Sequence, residues 1–395
     1  MISVEDAQRR IVAAFQPLES EKLGIADAIG RVLAEDAVAH ESQPPWPVSS
    51  MDGYAVRAAD ARPAATLRVI GAAPAGHPFN GKIGGGEAVR IFTGGVVPDG
   101  ADAIVIQEDA TAAEGHVTLH EAAIAGKHIR IAGLDFNKGD VLAPRGRRLG
   151  ARDLSLLAAG DVAQVEVRRR PRIAFVATGD ELSRPGESRK PGGIVASSGY
   201  GLSALIDKAG GAPRDLGILQ DTPEAIGQIP QLAAGADLIV TLGGASVGDH
   251  DLVQSALGPH GFALDFWKIA MRPGKPLIFG RLGDTPLLGL PGNPVSTFVC
   301  ATLFLAPAIA AMLGAAREDP ALTARLTRAL PQNGPRQDYL RARLHIKDGE
   351  LWADPFSVQD SSLLQILAQA DALVVRAPNA AAAAAGEKAS VLRLE

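Results

Sequence analysis

The sequence predicts a multidomain α/β plus β protein organised around a central parallel-sheet α/β domain. Three observations carry this. The chain has 395 residues, too many for one ordinary hydrophobic core, so several domains are expected. From about residue 171 to 318, short β-branched runs bounded by Gly or Pro alternate with helical patterns, as in parallel strands joined by right-handed crossovers. At 66–131, and again after about 315, short strands follow one another closely, with many glycines in the first stretch; this reads as small β domains.

In the central region, RIAFVATGDEL reads as a strand ending in a glycine turn with Asp180 and Glu181. Ser198 is expected to cap a helix with Leu202, Leu205, Ile206 and Ala209 facing inward, ended by Gly210 and Gly211. RDLGILQD is the next strand, ending at Asp221. Thr222 and Pro223 form an N-cap and first-turn pair for a helix running to about Ala234. DLIVTL then breaks into GGASVGDHD, FALDFWKIA into MRPGKP, and PLLGL into PGNPVSTF, which enters a long apolar helix.

Those three breaks are expected at the C-terminal ends of successive strands, where open α/β sheets bind ligands. Gly243, Gly244, Gly248, Gly274 and Gly292 permit tight turns and let backbone N–H groups approach an anion. Lys268, Arg272 and Lys275 add positive charge, and Asp249 and Asp251 add carboxylates suited to a hard cation. One Gly-Gly pair after a strand is often only a turn. Three such breaks in succession, with cations on the second, favour a phosphorylated or oxyanionic ligand. GGASVG carries Ala245 where the dinucleotide fingerprint needs its second glycine, so a nicotinamide site is not expected.

Before this region, Ser3 caps a helix whose Val4, Ala7, Ile11 and Phe15 share one face and which Pro17 stops. In ESQPPWPVSSMDGYAVRAAD the prolines force an extended path, and residues 49–53 form a turn. Trp46, Met51 and Tyr54 either pack this loop down or line a pocket. Thr93 sits in a TGG turn at the end of a strand, where its hydroxyl serves either the turn or a ligand. The arginines at 145, 147, 148 and 168–170 read as solvated. After residue 315, DYLRARLHI, ELWADPF, DALVVRAP and KASVLRL read as strands around the short helix SSLLQILAQA.

A hydrophobic content of 47% with 21% charged residues is that of a soluble globular protein, and a net charge of −5 argues against general nucleic-acid or membrane-surface binding. The lone cysteine, Cys300, reads as core; no disulfide framework or cysteine zinc cluster can form within the chain. The first residues lack signal-peptide character. The apolar run from Val295 to Leu313 is interrupted by Thr297, Thr302 and Pro307 and reads as a buried helix. A cytoplasmic location follows by default.

Taken together, SSMDGYAVR, RIFTGGVVPDGADAIVIQED, ATGDEL, LGILQDTPEAI, LGGASVGDHD, FWKIAMRPGKP and LPGNPVS resemble, end to end and in order, the molybdopterin molybdenumtransferase family: MoeA in bacteria, and the E domain of gephyrin and its plant homologues. The resemblance implies an N-terminal helix (1–17) on the central domain and an elongated linking domain (18–44 and 134–170). It further implies an inserted β domain (45–133), a central domain like the molybdopterin adenylyltransferases (171–318) and a C-terminal β-barrel (319–395). It implies a homodimer with a cleft to which the partner contributes, and the molybdopterin adenylyltransferase as a further partner. The implied reaction joins adenylylated molybdopterin and molybdate, requires Mg²⁺ and releases AMP.

Carried over by motif, the implied catalytic residues are Asp52, Thr93, Glu181, Asp221 and Asp251, of which Glu181, Asp221 and Asp251 would hold the metal. The implied ligand-binding residues are Gly243, Gly244, Ser246, Gly248, Lys268, Arg272, Lys275, Pro291, Asn293 and Pro294. The sequence departs from the family pattern at Leu242 and Ala245, which replace Ser and Val, at Arg272, where Lys is common, and at Asp360-Ser361-Ser362, which replaces a Gly-containing turn. Two alternatives stand beside the insertase: a molybdopterin adenylyltransferase, which would lack the two β domains, and a gephyrin-like scaffold, which would need a long linker or further domain.

Overall fold

The computed structural model describes residues 1–243, 255–316 and 321–394. At its centre is a six-stranded sheet in the order Ala212–Leu219, Arg172–Thr178, Leu238–Leu242, Thr285–Leu290, Pro276–Leu282, Phe262–Lys268. The first four pair in parallel, and Pro276–Leu282 is antiparallel to both its neighbours. Five of the six strands therefore point the same way. The antiparallel strand PLIFGRL departs from the sequence reading, which ran MRPGKP directly into PLLGL. Leu282 pairs with Thr285 across Gly283-Asp284, a two-residue hairpin loop in which Gly283 takes φ 58°.

Alternation along the strands divides the core between the two sheet faces. Ile173, Phe175, Val240 and Leu288 face one cluster with the N-terminal helix and the long apolar helix. Ala174, Val176, Ile239 and Leu287 face the other, with Ile226, Ile229 and Leu257. Strand Leu238–Leu242 is buried throughout, as expected for a strand covered on both faces. The segment after Thr222 differs from the single helix expected. Gly227 and Pro230 divide it into Pro223–Ile226 and Ile229–Leu232, while Thr222 does cap the first through its hydroxyl, at 3.2 Å from the Ala225 N–H. Likewise Ser198 is the first helical residue of Ser198–Lys208 and not its cap.

Residues Pro294–Leu313 form a continuous helix with a π turn at Ala301–Leu305. Among the described residues it is the one helix long and apolar enough to cross a membrane. Val295, Val299, Phe304, Ile309 and Leu313 lie in the main core, so it reads as the core helix of this domain. Pro307 has no N–H to give the carbonyl four residues earlier, that of Leu303. The Gln8 side-chain amide, from the N-terminal helix Val4–Ala13, donates to that carbonyl at 2.9 Å. Val4, Ala7, Ile11 and Phe15 pack into the same core, and the Ser3 hydroxyl accepts from Asp6 N–H.

Three smaller β units surround the sheet. A six-stranded sheet is built from Ala103–Ile106, Gly53–Val56, Glu87–Ile91, Thr66–Ala73, His116–Leu119 and Ala110–Ala113. A ribbon pairs Ser20–Gly24 with Gln164–Arg168, and a shorter one pairs Ala37–Val38 with Val141–Ala143. Towards the C-terminus, five strands close on themselves as a barrel, because Gln337–Lys347 pairs with both Glu350–Pro355 and Ala372–Arg376.

Most of the arginines expected in solvent are engaged. Arg148 donates to the carbonyls of Gly30 and Ala209, and Arg168 to that of Leu18. Arg147 pairs with Asp153, Arg170 with Asp207, and Arg169 with both Glu19 and Asp237. Several tie the 18–44 and 147–170 segments to the central sheet. Periodicity is blind to this, because every partner but Asp153 lies far away in sequence.

Candidate functional site

The chain leaves strand Arg172–Thr178 to form Ala212–Leu219 on one side and Leu238–Leu242 on the other. The order reverses at Arg172–Thr178, and a crevice opens beyond the C-terminal ends of such strands. Gly179 and Gly243 begin the two turns there. Gly243 has φ 95°, and a Cβ on it would lie 2.8 Å from the Thr178 carbonyl oxygen. A Cβ on Gly292, at the next strand end, would lie 3.5 Å from the Gly243 Cα. The three turns are thus packed backbone to backbone, an arrangement open to glycine and suited to presenting N–H groups to an oxyanion. Thr178 is buried, and its hydroxyl has no hydrogen-bond partner among the described residues. The sequence reading passed over it, although it stands in ATGDEL.

Acidic groups gather at the outer side of this crevice. Asp180 and Glu181 follow one strand and Asp221 follows its neighbour, with the Asp221 N–H 3.4 Å from Asp180 Oδ1. The Glu181 carboxylate lies against Gly179, within 2.7 Å of where a Cβ would be. Among the described residues no three His, Cys, Asp or Glu side chains group closely enough to hold a metal ion. Gly244, Ser246, Gly248, Asp249 and Asp251 lie outside the described residues.

On the basic side, Lys268 ends strand Phe262–Lys268, its ammonium 3.4 Å from the Trp267 ring centroid, a cation–π contact. Neither Lys268 nor Lys275 has a carboxylate partner among the described residues. Arg272 differs: its guanidinium pairs with Asp338 of the C-terminal barrel, whose side chain is only 5% exposed. Met271–Arg272 also runs parallel to the start of Gln337–Lys347. Gly274 has φ 103° and packs on Cys300, whose Sγ a Cβ would approach to 2.4 Å. Burial pushes that thiol far above its ordinary pKa, which leaves it inert.

At the last turn, the Asn293 backbone begins helix Pro294–Cys300, and its side-chain amide donates to the Ser361 hydroxyl at 3.1 Å. The Val295 N–H donates to the Ser361 carbonyl at 3.1 Å. The Pro291 carbonyl accepts from the Thr297 hydroxyl at 2.6 Å. Asp360 orders the Ser361 turn by accepting from the Ser362 N–H and hydroxyl. Ser361, in the turn where the sequence departs from the family pattern, is therefore a neighbour of the site.

Asp52 and Thr93 meet each other in the 53–119 sheet unit, through hydrogen bonds from the Thr93 N–H and hydroxyl. Among the described residues neither has a hydrogen bond or ion pair to residues 171–318. Met51 and Phe92, each next in sequence to one of the pair, are exposed, as are Trp46, Ile131 and Leu134.

Family models match the chain in three consecutive blocks: the MoeA N-terminal region (domain I and II) over residues 2–160, a probable molybdopterin binding domain over 174–311, and the MoeA C-terminal region (domain IV) over 323–394. A molybdopterin molybdenumtransferase of Haemophilus influenzae is 34% identical over 99% of this chain and 98% of its own. The chain belongs to the molybdopterin molybdenumtransferase family. The Nostoc member is 34% identical over 100% of this chain and 94% of its own, and the Bacillus subtilis member 33% over 95% and 90%. The crystal structure of a MoeA protein of molybdopterin biosynthesis from Pyrococcus horikoshii superposes with a TM-score of 0.86 at 30% identity, over 100% of this chain and 99% of that one. The family thus accounts for every unit of the fold, including the barrel whose Ser361 turn meets Asn293.

Proposed function

We propose that this protein inserts molybdenum from molybdate into adenylylated molybdopterin, with release of AMP. The observation that carries the reading is the end-to-end relation, at 34% identity over 99% of the chain, to a protein named for molybdopterin molybdenumtransferase activity. An adenylyltransferase alone would not call for the flanking β units that the relatives share. The central 171–318 segment would carry the chemistry, with 45–133 and 319–395 closing the cleft in a cytoplasmic homodimer. The molybdopterin adenylyltransferase would be the supplying partner.

The site chemistry supports this reading. Molybdate and phosphate are both oxyanions, suited to the packed turns at Gly179, Gly243 and Gly292 and to Lys268 and Lys275. Mg²⁺ uses one or two carboxylates, keeps several waters and takes its other ligands from substrate phosphates. Glu181 and Asp221 fit that requirement; a closed protein cage is not needed, and none stands among the described residues. Asp251 is assigned to the same ion on the family motif. When bound, the ion would offset charge on the phosphoanhydride. The protein's own part is to hold the two oxyanions in place and stabilise charge, with no protein nucleophile required.

The test is a defined mixture of purified protein, adenylylated pterin, molybdate and Mg²⁺. AMP is followed by chromatography, and cofactor by reconstitution of a molybdenum-free apoenzyme. Glu181→Ala and Asp221→Ala should each abolish AMP release in folded protein. Substrate binding without AMP release by the wild type would reject the reading, and synthesis of the adenylylated pterin from ATP would reassign it.

A further inference from the structure

A cavity of about 710 Å³ lies away from the glycine crevice, between the two ribbons of the 18–44 and 134–170 segments. Two stretches, 33–40 and 160–167, run antiparallel along it. They are pinned at both ends. At one end Leu33 bridges Val167, and the Ala34 N–H donates to the Glu166 carbonyl at 2.8 Å. At the other the His40 N–H donates to the Gly160 carbonyl at 2.8 Å, and His40 Nδ1 lies 3.0 Å from the Asp161 carbonyl oxygen. The pins keep a single register. Between them no backbone hydrogen bond joins 35–39 to 161–165 among the described residues. Each wall pairs outward instead, Ala37–Val38 with Val141–Ala143 and Gln164–Arg168 with Ser20–Gly24. Glu166 and Arg168 turn their backbone groups to Ala34 and Val32, so by strand alternation Gln164 turns its N–H and carbonyl into the gap. The cavity is a ladder opened in its middle, with a short unpaired strand edge facing it.

The floor is apolar: Leu33, Ala37, Val162 and Val165 are buried, and Val38 is exposed beside them. The rim is acidic, with Glu35, Asp36, Asp161 and Glu166 set against one ammonium, that of Lys22. Asp36 accepts from the Arg145 N–H at 2.7 Å. The side chains of Glu35, Asp161 and Glu166 have no hydrogen bond or ion pair among the described residues. Lys22 stands across the ribbon from Glu166 and offsets only part of this charge. A small polyamine would answer the charge but offers no acceptor to the Gln164 N–H. An extended basic peptide answers all three features, with amides for the edge, aliphatic side chains for the floor and cations for the rim.

We infer that this groove is a docking surface for a basic extended segment of a partner protein, lysine or arginine alternating with an aliphatic residue, added as a strand against Gln164. The inference is independent of the proposed reaction, since no residue of the glycine crevice lines the cavity.

The probe is a short blocked peptide of alternating lysine and valine, titrated against the full chain and followed by fluorescence anisotropy. Wild type should bind it. Glutamate in place of lysine, serine in place of valine, or N-methylated valine amides should each weaken binding about tenfold or more, because each removes one of the three complements. Glu35→Lys and Glu166→Lys should each weaken it about tenfold while keeping wild-type unfolding midpoints, and Glu121→Lys, remote from the groove, should leave affinity within about twofold. Equal binding of the serine and N-methylated peptides would overturn the inference in favour of a merely acidic surface. Absence of binding to wild type, or loss of binding in Glu121→Lys, would overturn it too. Sedimentation reads the remaining outcome: a changed oligomeric state in Glu166→Lys would assign the groove to a second copy of this chain and reject the basic partner.

Discussion

Asp52 Oδ1 accepts two hydrogen bonds from Thr93, 41 residues away: the N–H donates at 2.8 Å and the hydroxyl at 2.9 Å. These bonds hold the Asp52 carboxyl below its ordinary range, first through the N–H and then through the hydroxyl. The residues carried over from the MDGYA and TGG motifs are therefore one unit. The carboxylate does not cap its own turn; it fastens the proline-rich loop to the end of strand Glu87–Ile91. That gives Asp52 a structural task, and it separates two consequences of changing it.

Asp52→Asn keeps the accepting oxygen and removes the charge. This variant is expected to fold as the wild type does, with little change in its unfolding midpoint, because the bonds are exposed. It should bind adenylylated pterin and lose insertion by about a hundredfold or more, as for removal of a site charge. Thr93→Ala should loosen the loop as well. Near-normal insertion by Asp52→Asn, measured by apoenzyme reconstitution, would leave Asp52 as a fastening alone.

Local patterning exposed the fold's framework. The buried run Leu238–Leu242, the helix face of Val4, Ala7 and Ile11, and the glycine breaks all follow from periods and turn chemistry that neighbouring residues carry. Pro276–Leu282 was also within reach, since RLGDTP holds a hairpin signal. Contacts that join distant segments were not. Nothing near Arg272 announces Asp338, 66 residues on, and nothing near Asn293 announces Ser361, 68 residues on. The motifs supplied candidate site residues; the fold supplies what those among the described residues touch.

Arg272 carries a further consequence. Asp338 is 4% exposed, and a buried carboxylate that loses its partner is strongly destabilising. Arg272→Ala should therefore lower unfolding stability by about 2 kcal/mol, the exposed guanidinium keeping the loss below that of a fully buried pair. Adding Asp338→Asn should recover much of it. A urea double-mutant cycle reads this coupling. Stability equal to wild type in Arg272→Ala would assign the arginine to ligand binding alone.

The Arg169–Asp237 pair sets an acid limit. Burial would raise the Asp237 pKa, but both guanidinium nitrogens of Arg169, at 2.7 and 2.8 Å, and the Arg172 N–H outweigh it, and the net direction is down. A depressed folded-state pKa contributes stability that is full above the unfolded value, about 3.9, and fades as pH falls through the folded value. Asp237→Asn should cost about 2 kcal/mol at pH 7. Its deficit against wild type should narrow below about pH 4, read from urea midpoints at both pH values. A constant deficit would show that the charge is not what matters.

The Gln8 amide and Pro307 form a matched pair in the long core helix. Position 307 offers no N–H to the Leu303 carbonyl, and Gln8 supplies one at 2.9 Å. Gln8→Ala should cost about 1 kcal/mol, the net value of such a bond in a partly buried place. Gln8→Glu is nearly the same shape, but at neutral pH its carboxylate accepts only, so it faces the carbonyl without a donor. It should be less stable than Gln8→Ala at pH 7 and should recover towards wild type near pH 4, where the side chain regains an O–H. In a Pro307→Ala background the helix can satisfy its own carbonyl, and Gln8→Ala should then cost less than in the wild type. Unfolding midpoints of the four variants measure this. Equal costs of Gln8→Ala in both backgrounds would show that the amide does not stand in for the missing N–H.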